Sequence, residues 1–512
     1  MFCKVFSGGI RGIDSYLAEV EVDVSHGMPG FDMVGLLGSE VREARERIRV
    51  ALRNCAFPFP HQRVTVNISP ADLRKEGSAF DLAIAVGILV CMGELEEAIL
   101  TDTLFVGELG LDGEVKPVKG ILPILLMARQ RGMKRLVLPA GNRSEGGIVE
   151  GIRVIGVQHL KEAATYLRLK EDREQDAFLP PVKLDPQLLL EEGRKKAHPD
   201  FGEICGQELV KRAAVIAAAG FHHLLITGVP GTGKTMIARR IPSILPPLTL
   251  EESLEVSRIY SVSGLLKEGK PLITNRPFLH PHHTISPQAL VGGGKIPRPG
   301  ILSLSHRGVL FLDEFPEFGR ENIEALRQPL EDKEIQVARS GISITYPADV
   351  MIVAAMNPCP CGYYPDRNRC RCTENEIRRY RNRISGPIYD RMDLCVQTTA
   401  VSVESLQKQT PGISSADLRR QVMKARRIQE ERYRGTGIYF NSGLQTADIT
   451  RYCSLGKEEE AYIGQLFSML DMSARGYHRV LKIARTIADL EEEERIGKKH
   501  ISEAMGFRGW EG

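Results

Sequence analysis

The chain has 512 residues, of which 42% are hydrophobic and 26% are charged, a composition typical of a globular protein with about three domains of roughly 150 residues each. The 68 basic and 65 acidic residues give a formal net charge of +3, which excludes a histone-like polycation and an acidic tail protein. A local basic stripe that binds nucleic acid is still compatible with this near balance.

The N-terminal part, residues 1–170, mixes short β-rich runs with helical stretches. Residues 39–54 carry charge on one face and predict a helix. The apolar run 82–92 is too short to span a bilayer and predicts a buried helix, so we expect no membrane association. With no signal-peptide pattern and only ten cysteines, we expect a cytoplasmic, reducing location.

A polar, proline-containing stretch at 171–198 predicts a linker. Beyond it, three apolar runs at 224–227, 309–312 and 350–356 are typical of buried parallel strands. After about residue 400 the strands disappear, and periodic apolar positions predict helices at 417–433, 458–469 and 474–490.

A phosphate-binding motif follows the first of these strands. The pattern GxxxxGK[ST] leads into an apolar helical stretch that begins at Met236, and strand–loop–helix is the context that supports it. Its backbone N–H groups would surround phosphate oxygens, Lys234 would reach the β and γ phosphates, and the Thr235 hydroxyl would bind Mg²⁺. The predicted nucleotide-binding residues are Gly228, Val229, Pro230, Gly231, Thr232, Gly233, Lys234, Thr235 and Met236.

Polar residues also follow directly after the other two predicted strands. Asp313 and Glu314 follow the run 309–312; Asp313 would hold Mg²⁺, and Glu314 would act as general base toward the attacking water. Asn357 follows the third strand and would orient that water. The alternative for Asn357 is an amide that caps a turn before Pro358.

The chain resembles the ComM/YifB family of magnesium-chelatase-like AAA+ proteins over essentially its whole length. The stretches that carry the resemblance include DFGEICGQELVKRAAVIAAAGFHHLLITG, RPFLHPHHTISPQALVGGG, GVLFLDEFPEF, ALRQPLED, AAMNPCPCGYYPD, RRYRNRISGPIYDRMDL and SARGYHRVLKIARTIADL. The resemblance implies a hexameric ring ATPase that acts on DNA in branch migration during natural transformation. The related metal-handling protein is the ATPase subunit of magnesium chelatase.

Three further roles come from the resemblance alone. It implies that Asn357 is the sensor-1 residue, that Arg391 is the arginine finger that completes a neighbouring subunit's site, and that Arg475 is the sensor-2 residue. The alternative for Arg391 is a salt bridge with Asp390 or Asp393. For Arg475 the alternatives are a solvated helix position, or replacement in the role by Arg479.

Residues 62–142 resemble the Lon protease domain, whose chemistry needs a serine nucleophile and a lysine base. Aligned without gaps, those positions fall on Ala79 and Leu122, while Ser78 and Lys119 lie one and three places away. We therefore expect an inactive Lon-like domain that packs in the ring or guides substrate.

The predicted fold class is α/β, in four parts. These are a Lon-protease-like α+β domain at 1–170, a linker at 171–198, an AAA+ P-loop core with insertions at 199–398 and a helical lid at 399–512.

Four cysteines cluster directly after Asn357 in the pattern CxCx₈CxC and predict a structural Zn²⁺ site. Reduced thiols without metal and a redox switch remain alternatives. The cysteines are Cys359, Cys361, Cys370 and Cys372. A separate group, His280, His282 and His283, lacks partners at metal-binding spacing, so we expect it to contact DNA or a neighbouring subunit, or simply to pack.

Two stretches are strongly basic: 367–383 and 419–434 each contain seven basic residues and two glutamates. Each could be a DNA-binding surface, and the alternative is a solvated helix face. Two insertions resemble the pore loops of this AAA+ class: 291–300, with Lys295 and Arg298, and a predicted hairpin at 335–346 with Arg339 at its tip.

We therefore expect a homo-hexameric ATPase that uses ATP and Mg²⁺ to move DNA without regard to its sequence, in recombination and natural transformation. The alternative is a magnesium-chelatase-like ATPase chaperone for metal insertion. A regulated protease is disfavoured by Ala79 and Leu122.

Overall fold

The computed structural model of the chain describes residues 1–195, 199–267, 269–294, 297–339, 342–399, 412–470 and 472–508. The chain forms two compact units. The first combines Met1–Gly193 with Thr249–Thr274, and the second combines Arg194–Leu248 with Asn275–Gly512. The described residues of the predicted lid therefore lie in the same unit as the P-loop.

A seven-stranded mixed sheet forms the centre of the first unit. Val20, Val22 and Val24 are buried, whereas Glu21 and Asp23 between them are only half-buried, the alternation expected of a strand with one face on a core. In spatial order the strands are Gly30–Val34, Arg63–Ser69, Asp14–Ser25, Phe2–Arg11, Thr103–Phe105, Arg135–Pro139 and Arg153–Val157. A small hairpin pairs Glu108–Leu109 with Val115–Lys116.

Helices cover this sheet, and both predicted helices are confirmed. Ser39–Asn54 buries Val41, Ala44 and Ile48 at spacings of three and four residues. Asp81–Cys91 is buried at every position, which its continuous apolar sequence predicts. The helices of the first unit are Ser39–Asn54, Asp81–Cys91, Ile121–Gln130, Arg143–Gly146, Leu160–Arg168, Asp172–Phe178, Pro186–Arg194 and Leu250–Ser263.

Two segments of the first unit differ from the sequence-based boundaries. The predicted linker contains two helices, Asp172–Phe178 and Pro186–Arg194, because it carries enough apolar side chains to pack, among them the buried Leu190. The helix Leu250–Ser263 comes from the segment that was predicted to belong to the AAA+ core. Its Ser261 hydroxyl donates to the buried carboxylate of Glu145, and its Ser261 carbonyl accepts from the N–H of Gly120.

The second unit is built on a five-stranded parallel sheet. Its strands lie in the order Phe278–Leu279, Val309–Leu312, Met351–Met356, Leu224–Thr227 and Leu394–Gln397. The three apolar runs predicted as buried strands are thus strands in this sheet, and every residue of Val309–Leu312 and Met351–Met356 is buried. Both faces of a parallel sheet are covered, which is why these sequences are continuously apolar.

Helices and two short hairpins complete the second unit. The helices are Glu208–Gly220, Lys234–Ala238, Ile241–Ile244, Pro287–Val291, Ile301–Leu304, Arg320–Ala325, Arg327–Asp332, Glu374–Arg381, Gly386–Tyr389, Ser415–Arg432, Thr446–Tyr452, Lys457–Met469, Ala474–Leu490 and Lys498–Gly506. The hairpins pair Glu334–Arg339 with Ile342–Pro347, and Gly292–Gly293 with Arg298–Pro299. The predicted hairpin at 335–346 and the predicted helices after residue 412 are confirmed. Across the described segments, no helix combines the length and the apolar character that a bilayer crossing requires.

A buried ionic network holds the C-terminal helices together. The Asp489 carboxylate is fully buried and accepts hydrogen bonds from Arg432 Nη1 at 2.9 Å, Arg485 Nε at 3.1 Å and Asn441 Nδ2 at 2.9 Å. Asn441 Nδ2 also donates to Thr486 Oγ1 at 3.0 Å. One carboxylate therefore joins the helix Ser415–Arg432 to the helix Ala474–Leu490.

We predict that Asp489→Ala lowers the free energy of unfolding of the second unit by about 3–5 kcal/mol, because it leaves buried Arg485 without its carboxylate. Urea unfolding followed by circular dichroism measures the change. Lys498→Ala is the matched control, since it removes the exposed pair with Glu458 and should leave the midpoint unchanged. Equal midpoints for the two variants would contradict the importance of the Asp489 network.

Candidate active site

The carboxyl ends of three neighbouring strands bring the predicted catalytic groups to one edge of the sheet. Thr227, which precedes the P-loop, lies level with Met356, which precedes Asn357. Leu312, which precedes Asp313, pairs with Ala354 in the same strand as Met356. Asn357 therefore follows the middle strand of the three, between the P-loop and Asp313.

The Lys234 ammonium lies within this edge and has three acceptors. It donates to the carbonyls of Gly228 and Val229 at 2.7 and 3.1 Å, and to Asn357 Oδ1 at 3.1 Å. Burial lowers the pKa of Lys234 from its ordinary value, and the negative charge of Asp313 opposes that shift. The ammonium is thus held where it can meet the phosphates of a bound nucleotide.

Thr235 and Asp313 form a pair of oxygen ligands of the kind that Mg²⁺ prefers. The Thr235 hydroxyl donates to Asp313 Oδ2 at 2.7 Å, so the two side chains approach each other from the helix Lys234–Ala238 and from the end of Val309–Leu312. Thr235 and Asp313 would hold a Mg²⁺ ion, which would supply charge neutralisation at the phosphates of a bound nucleotide.

Glu314 stands in an unusual backbone conformation beside this pair. Its φ is 52°, in the left-handed region that residues other than glycine rarely adopt, and its side chain is 60% exposed. Strain of this kind is common at functional positions. His283 Nδ1 lies 3.4 Å from Glu314 Oε2, whereas His280 packs against Phe311 with ring centroids 4.7 Å apart.

The conformation of the P-loop depends on Thr398, a residue that the sequence reasoning missed. Thr398 follows the strand Leu394–Gln397, is buried, and its hydroxyl lies 2.7 Å from the hydroxyl of Thr232. A Cβ on Gly228 would lie 1.8 Å from Thr398 Oγ1, so a larger residue at Gly228 requires the Thr398 side chain or the loop to move. Gly231 and Gly233 have φ values of 82° and 86°, which glycine adopts without strain.

Arg391 and Arg475 meet at a shared carboxylate. Arg391, which is 7% exposed, forms an ion pair with Glu331, and Arg475 Nη2 donates to Glu331 Oε1 at 2.6 Å. Burial lowers the pKa of the Arg391 guanidinium; Glu331 opposes this shift and the charge of Arg475 adds to it. Within the described residues, the side-chain hydrogen bonds and ion pairs of both arginines go elsewhere than the P-loop.

The sequence-based alternatives for these arginines have different outcomes in the structure. Asp393 accepts from the N–H of His223 at 2.9 Å, and the carboxylate paired with Arg391 is Glu331 rather than Asp390 or Asp393. Arg479 Nη1 donates to the carbonyls of Asp390 and Met392, at 3.2 and 3.0 Å, on either side of Arg391. Arg479 therefore braces the backbone that carries Arg391, while Arg475 is half-exposed beside the Arg391 guanidinium.

In the first unit, the two positions aligned with the Lon catalytic residues hold apolar side chains. Leu122 is fully buried and Ala79 packs against the same apolar cluster. The Ser78 hydroxyl donates to the carboxylate of Glu108. In the described part of this unit, no hydrogen bond or ion pair joins Ser78 to Lys119, so the geometry offers no serine–lysine pair.

The two basic stretches differ in how their charges are used. In 419–434, Lys424 pairs with Glu492, Arg432 pairs with Asp489 and Arg426 pairs with Glu430, so much of this charge stabilises the helices. In 367–383, Arg378 and Arg379 are exposed, and they line a cleft of about 740 Å³. Lys295, Ser340 and Gly341 of the two expected pore loops lie outside the described residues.

The four cysteines after Asn357 come together as a group. Their sulfur atoms all lie within 4.8 Å of one another. The loop that carries these cysteines also packs closely on the P-loop: a Cβ built on Gly362 would lie only 2.7 Å from Pro230.

Comparison with known proteins agrees with this arrangement. Three family profiles of magnesium chelatase subunit ChlI match: one at residues 200–406, one at 20–142, and its C-terminal profile at 412–508. Competence protein ComM of Haemophilus influenzae is 41% identical over 510 residues, which cover 98% of this chain and 97% of that protein. The YifB protein of Escherichia coli is 39% identical over 498 residues, 97% of this chain and 95% of YifB.

The chain belongs to the ComM/YifB family of magnesium-chelatase-like AAA+ proteins. The resemblance and the fold class inferred from the motifs are thus confirmed. The magnesium-chelatase 38 kDa subunit of Cereibacter sphaeroides is a partial relative, 28% identical over 180 residues that cover 32% of this chain and 54% of the subunit. Membership of the ComM/YifB family implies an AAA+ ATPase that uses ATP and Mg²⁺.

We predict that Gly228→Ala weakens ATP binding at least about tenfold, or about 1.4 kcal/mol, because the new Cβ collides with Thr398 Oγ1. Thr398→Ala in the same chain should restore part of the affinity, since it removes that oxygen. Titration with a fluorescent ATP analogue measures both effects.

The matched control is Gly464→Ala in the helix Lys457–Met469, where a Cβ would meet nothing within 4 Å; its affinity should equal that of the wild type. A Gly228→Ala protein that binds ATP normally would show that the P-loop does not pack on Thr398 as described.

Proposed function

We propose that this ComM/YifB protein is a hexameric ATPase that couples ATP hydrolysis to movement of DNA, in branch migration during recombination and natural transformation. The observation that carries the proposal is the separation of the catalytic groups into two sets within one chain. One set contains the P-loop, Asp313, Glu314 and Asn357. The other contains Arg391 and Arg475. The expected cytoplasmic location stays a prediction.

The first set supports nucleotide binding and hydrolysis. Lys234 would neutralise phosphate charge, while Thr235 and Asp313, already 2.7 Å apart, would hold Mg²⁺. Mg²⁺, when bound, supplies charge neutralisation at the phosphate oxygens. Glu314 would accept the proton of the attacking water, and Asn357, 3.1 Å from Lys234, would orient that water.

The second set supports a site that two subunits share. A buried arginine such as Arg391 is costly unless it is paired, and in this chain its partner is Glu331, not a residue of the P-loop. We propose that both Arg391 and Arg475 reach the nucleotide of a neighbouring subunit, where they neutralise charge that develops in the transition state. The resemblance implies that Arg475 is the sensor-2 residue, and the carboxylate that it shares with Arg391 favours a role beside that arginine.

DNA as the substrate is supported by a relative and by a surface. A full-length relative is named a competence protein, and the family resemblance implies branch migration of DNA. Arg320, Arg378, Arg379 and Arg383 line the 740 Å³ cleft together with Glu317 and Glu324, and Arg383 pairs with Glu317. The excess of arginines would bind phosphates without reading bases.

A metal-insertion chaperone is the weaker alternative. The chelatase subunit named above matches only 32% of this chain, whereas ComM matches 98%. DNA should leave the ATPase rate of such a chaperone unchanged, which makes the two functions separable.

We predict that Lys234→Ala and Arg391→Ala each abolish ATP hydrolysis but that a mixture of the two regains activity. An interface that joins an Arg391→Ala subunit, with its intact P-loop, to a Lys234→Ala subunit, with its intact finger, is complete. Random assembly from equal amounts makes about one quarter of the interfaces complete. Phosphate release by the mixture measures the recovery.

Two controls define this experiment. Size-exclusion chromatography should show that each variant still assembles into oligomers. The rate of ATP hydrolysis by Arg391→Ala alone should fall by about 10³-fold or more. An inactive mixture of assembled subunits would mean that Lys234 and Arg391 serve the same chain, and would refute the shared site.

We predict that single-stranded and branched DNA stimulate the ATPase and that this stimulation fades between about 50 and 200 mM salt, because bound cations are released when arginines contact phosphates. Arg378→Ala/Arg379→Ala should reduce the slope of log affinity against log salt by about 2. ATPase rates, fluorescence anisotropy and strand displacement from Holliday junctions provide the measurements.

Lys234→Ala, which should retain DNA binding but lose strand displacement, is the control for the motor. ATP hydrolysis that no DNA stimulates would favour the chelatase-like function. Strand displacement that persists in Lys234→Ala would refute the coupling of ATP to movement.

A further inference from the structure

The four cysteine sulfur atoms of the loop after Asn357 lie close together in space. The distance is 3.4 Å from Cys359 to Cys361, 3.7 Å from Cys359 to Cys370 and 3.6 Å from Cys361 to Cys370. Cys372 completes the group, and all four sulfurs lie within 4.8 Å of one another. We call Cys359, Cys361, Cys370 and Cys372 the four-cysteine cluster.

These distances agree with one metal ion at the centre. A tetrahedron with Zn–S bonds of about 2.3 Å has edges of about 3.8 Å, close to the three printed separations. A disulfide needs sulfurs about 2.0 Å apart, and each of these cysteines is a free thiol. An iron–sulfur cubane needs more space between its ligands than 4.8 Å allows, so a single ion is the species that fits.

The loop has little else to hold it. Its own hydrophobic cluster has three buried members, Cys359, Cys370 and Ile377, with Tyr363 and Tyr364 packed partly against them. Two of those three are cysteines, so the sulfurs occupy the place where a larger domain would have aliphatic side chains. A segment with so small a core would gain stability from a bound metal ion.

The surroundings of the sulfurs suit thiolates bound to a cation. The backbone N–H of Tyr364 donates to Cys359 Sγ at 3.4 Å. Four thiolates and one divalent ion leave a net charge of −2. Arginines stack on the loop's tyrosines and would add positive charge to its surroundings: Arg369 on Tyr363 at 4.0 Å, and Arg367 and Arg381 on Tyr364 at 5.1 and 5.4 Å.

The cluster also joins two parts of the candidate active site. Asn357 lies two residues before Cys359, and Gly362 packs on Pro230 of the P-loop. On the other side, Cys372 precedes Thr373, whose capping box with Glu376 begins the helix Glu374–Arg381. The cluster therefore links the residues that follow Asn357 to the start of the helix Glu374–Arg381.

We propose that the four-cysteine cluster binds one structural Zn²⁺ and that the ion holds loop 357–373 against the P-loop. Zinc suits the role because it takes four sulfur ligands without redox chemistry, and a closed tetrahedral set leaves no position open for substrate. The zinc site depends only on the cysteines. The contact with the P-loop matters for activity only on the proposed function, and the tests below separate the two.

The first test measures metal in the full-length protein. Purified wild type should contain about one zinc per chain by inductively coupled plasma mass spectrometry, and Cys361→Ser/Cys372→Ser should contain less than about one tenth of that. Cys205→Ser is the matched control, because Cys205 is half-exposed in the same unit outside the cluster, and it should keep its zinc. Folded wild type that takes up no zinc, that holds iron instead, or that contains disulfides at these positions would overturn the proposal.

The second test uses the wild type alone, so that a variant which fails to fold does not decide the outcome. Removal of zinc by a chelator should raise the hydrogen-exchange rate of peptides from 357–373 about tenfold or more, and added zinc should restore the original rate. Co²⁺ in place of Zn²⁺ should give the visible absorption of tetrahedral cobalt thiolate.

Exchange in the P-loop, 228–233, should rise together with that of the cysteine loop when zinc is removed. Exchange that rises in 357–373 but not in 228–233 would refute the coupling and leave the zinc site in place. Unchanged exchange in both segments after complete zinc removal would refute the structural role of the ion. Neither result depends on ATP hydrolysis or on DNA, so failure of the proposed function would be recognised separately.

Discussion

The backbone ladder around the strand Leu224–Thr227 is the constraint on which the candidate active site depends. This strand is buried and pairs on one side with Met351–Met356 and on the other with Leu394–Gln397. Buried N–H and C=O groups must find partners, and the backbone hydrogen bonds continue past the strand ends. The backbone N–H of Gly228 donates to the Met356 carbonyl at 3.2 Å, and the backbone N–H of Thr398 donates to the Thr227 carbonyl at 2.8 Å. The start of the P-loop is therefore fixed relative to the neighbouring strand ends. Lys234, Asp313 and Asn357, which follow those ends, are held close to one another.

Charge balance explains the second half of the site. Buried or half-buried arginines need acidic partners, and Glu331 serves two of them, Arg391 and Arg475, which lie far apart in the chain. On the proposed function, a neighbour's phosphates would compete with Glu331 for both guanidinium groups, so that nucleotide binding would exchange one anion for another. Arg479 holds the backbone around Arg391 through two carbonyls, which would limit how far Arg391 moves in that exchange.

In the first unit, apolar side chains occupy the two positions that the sequence resemblance aligns with a protease's catalytic pair. Buried Leu122 gives its backbone N–H to Glu145 Oε1 at 2.9 Å, and Glu145 also accepts from Ser261 of the helix Leu250–Ser263. Burial raises the pKa of Glu145 above its ordinary value, while the hydrogen bond from Ser261 opposes this shift. Glu145 therefore links the helix Ile121–Gln130 to the helix Leu250–Ser263, which lies far away in the sequence.

The sequence by itself determined the local features of this protein: the strands and helices, from their apolar periods, and the identity of the P-loop, Asp313, Glu314 and Asn357, from residue types at fixed spacing. It also grouped the four cysteines, because they lie within 14 residues. Only the tertiary structure decided that Glu331 joins Arg391 to Arg475, that Thr398 supports Gly228, that His283 faces Glu314, and that the helix Leu250–Ser263 belongs to the first unit. The reason is physical: spacing along a chain fixes backbone conformation and nearby chemistry, whereas contacts between distant segments depend on how whole elements pack, which no local pattern records.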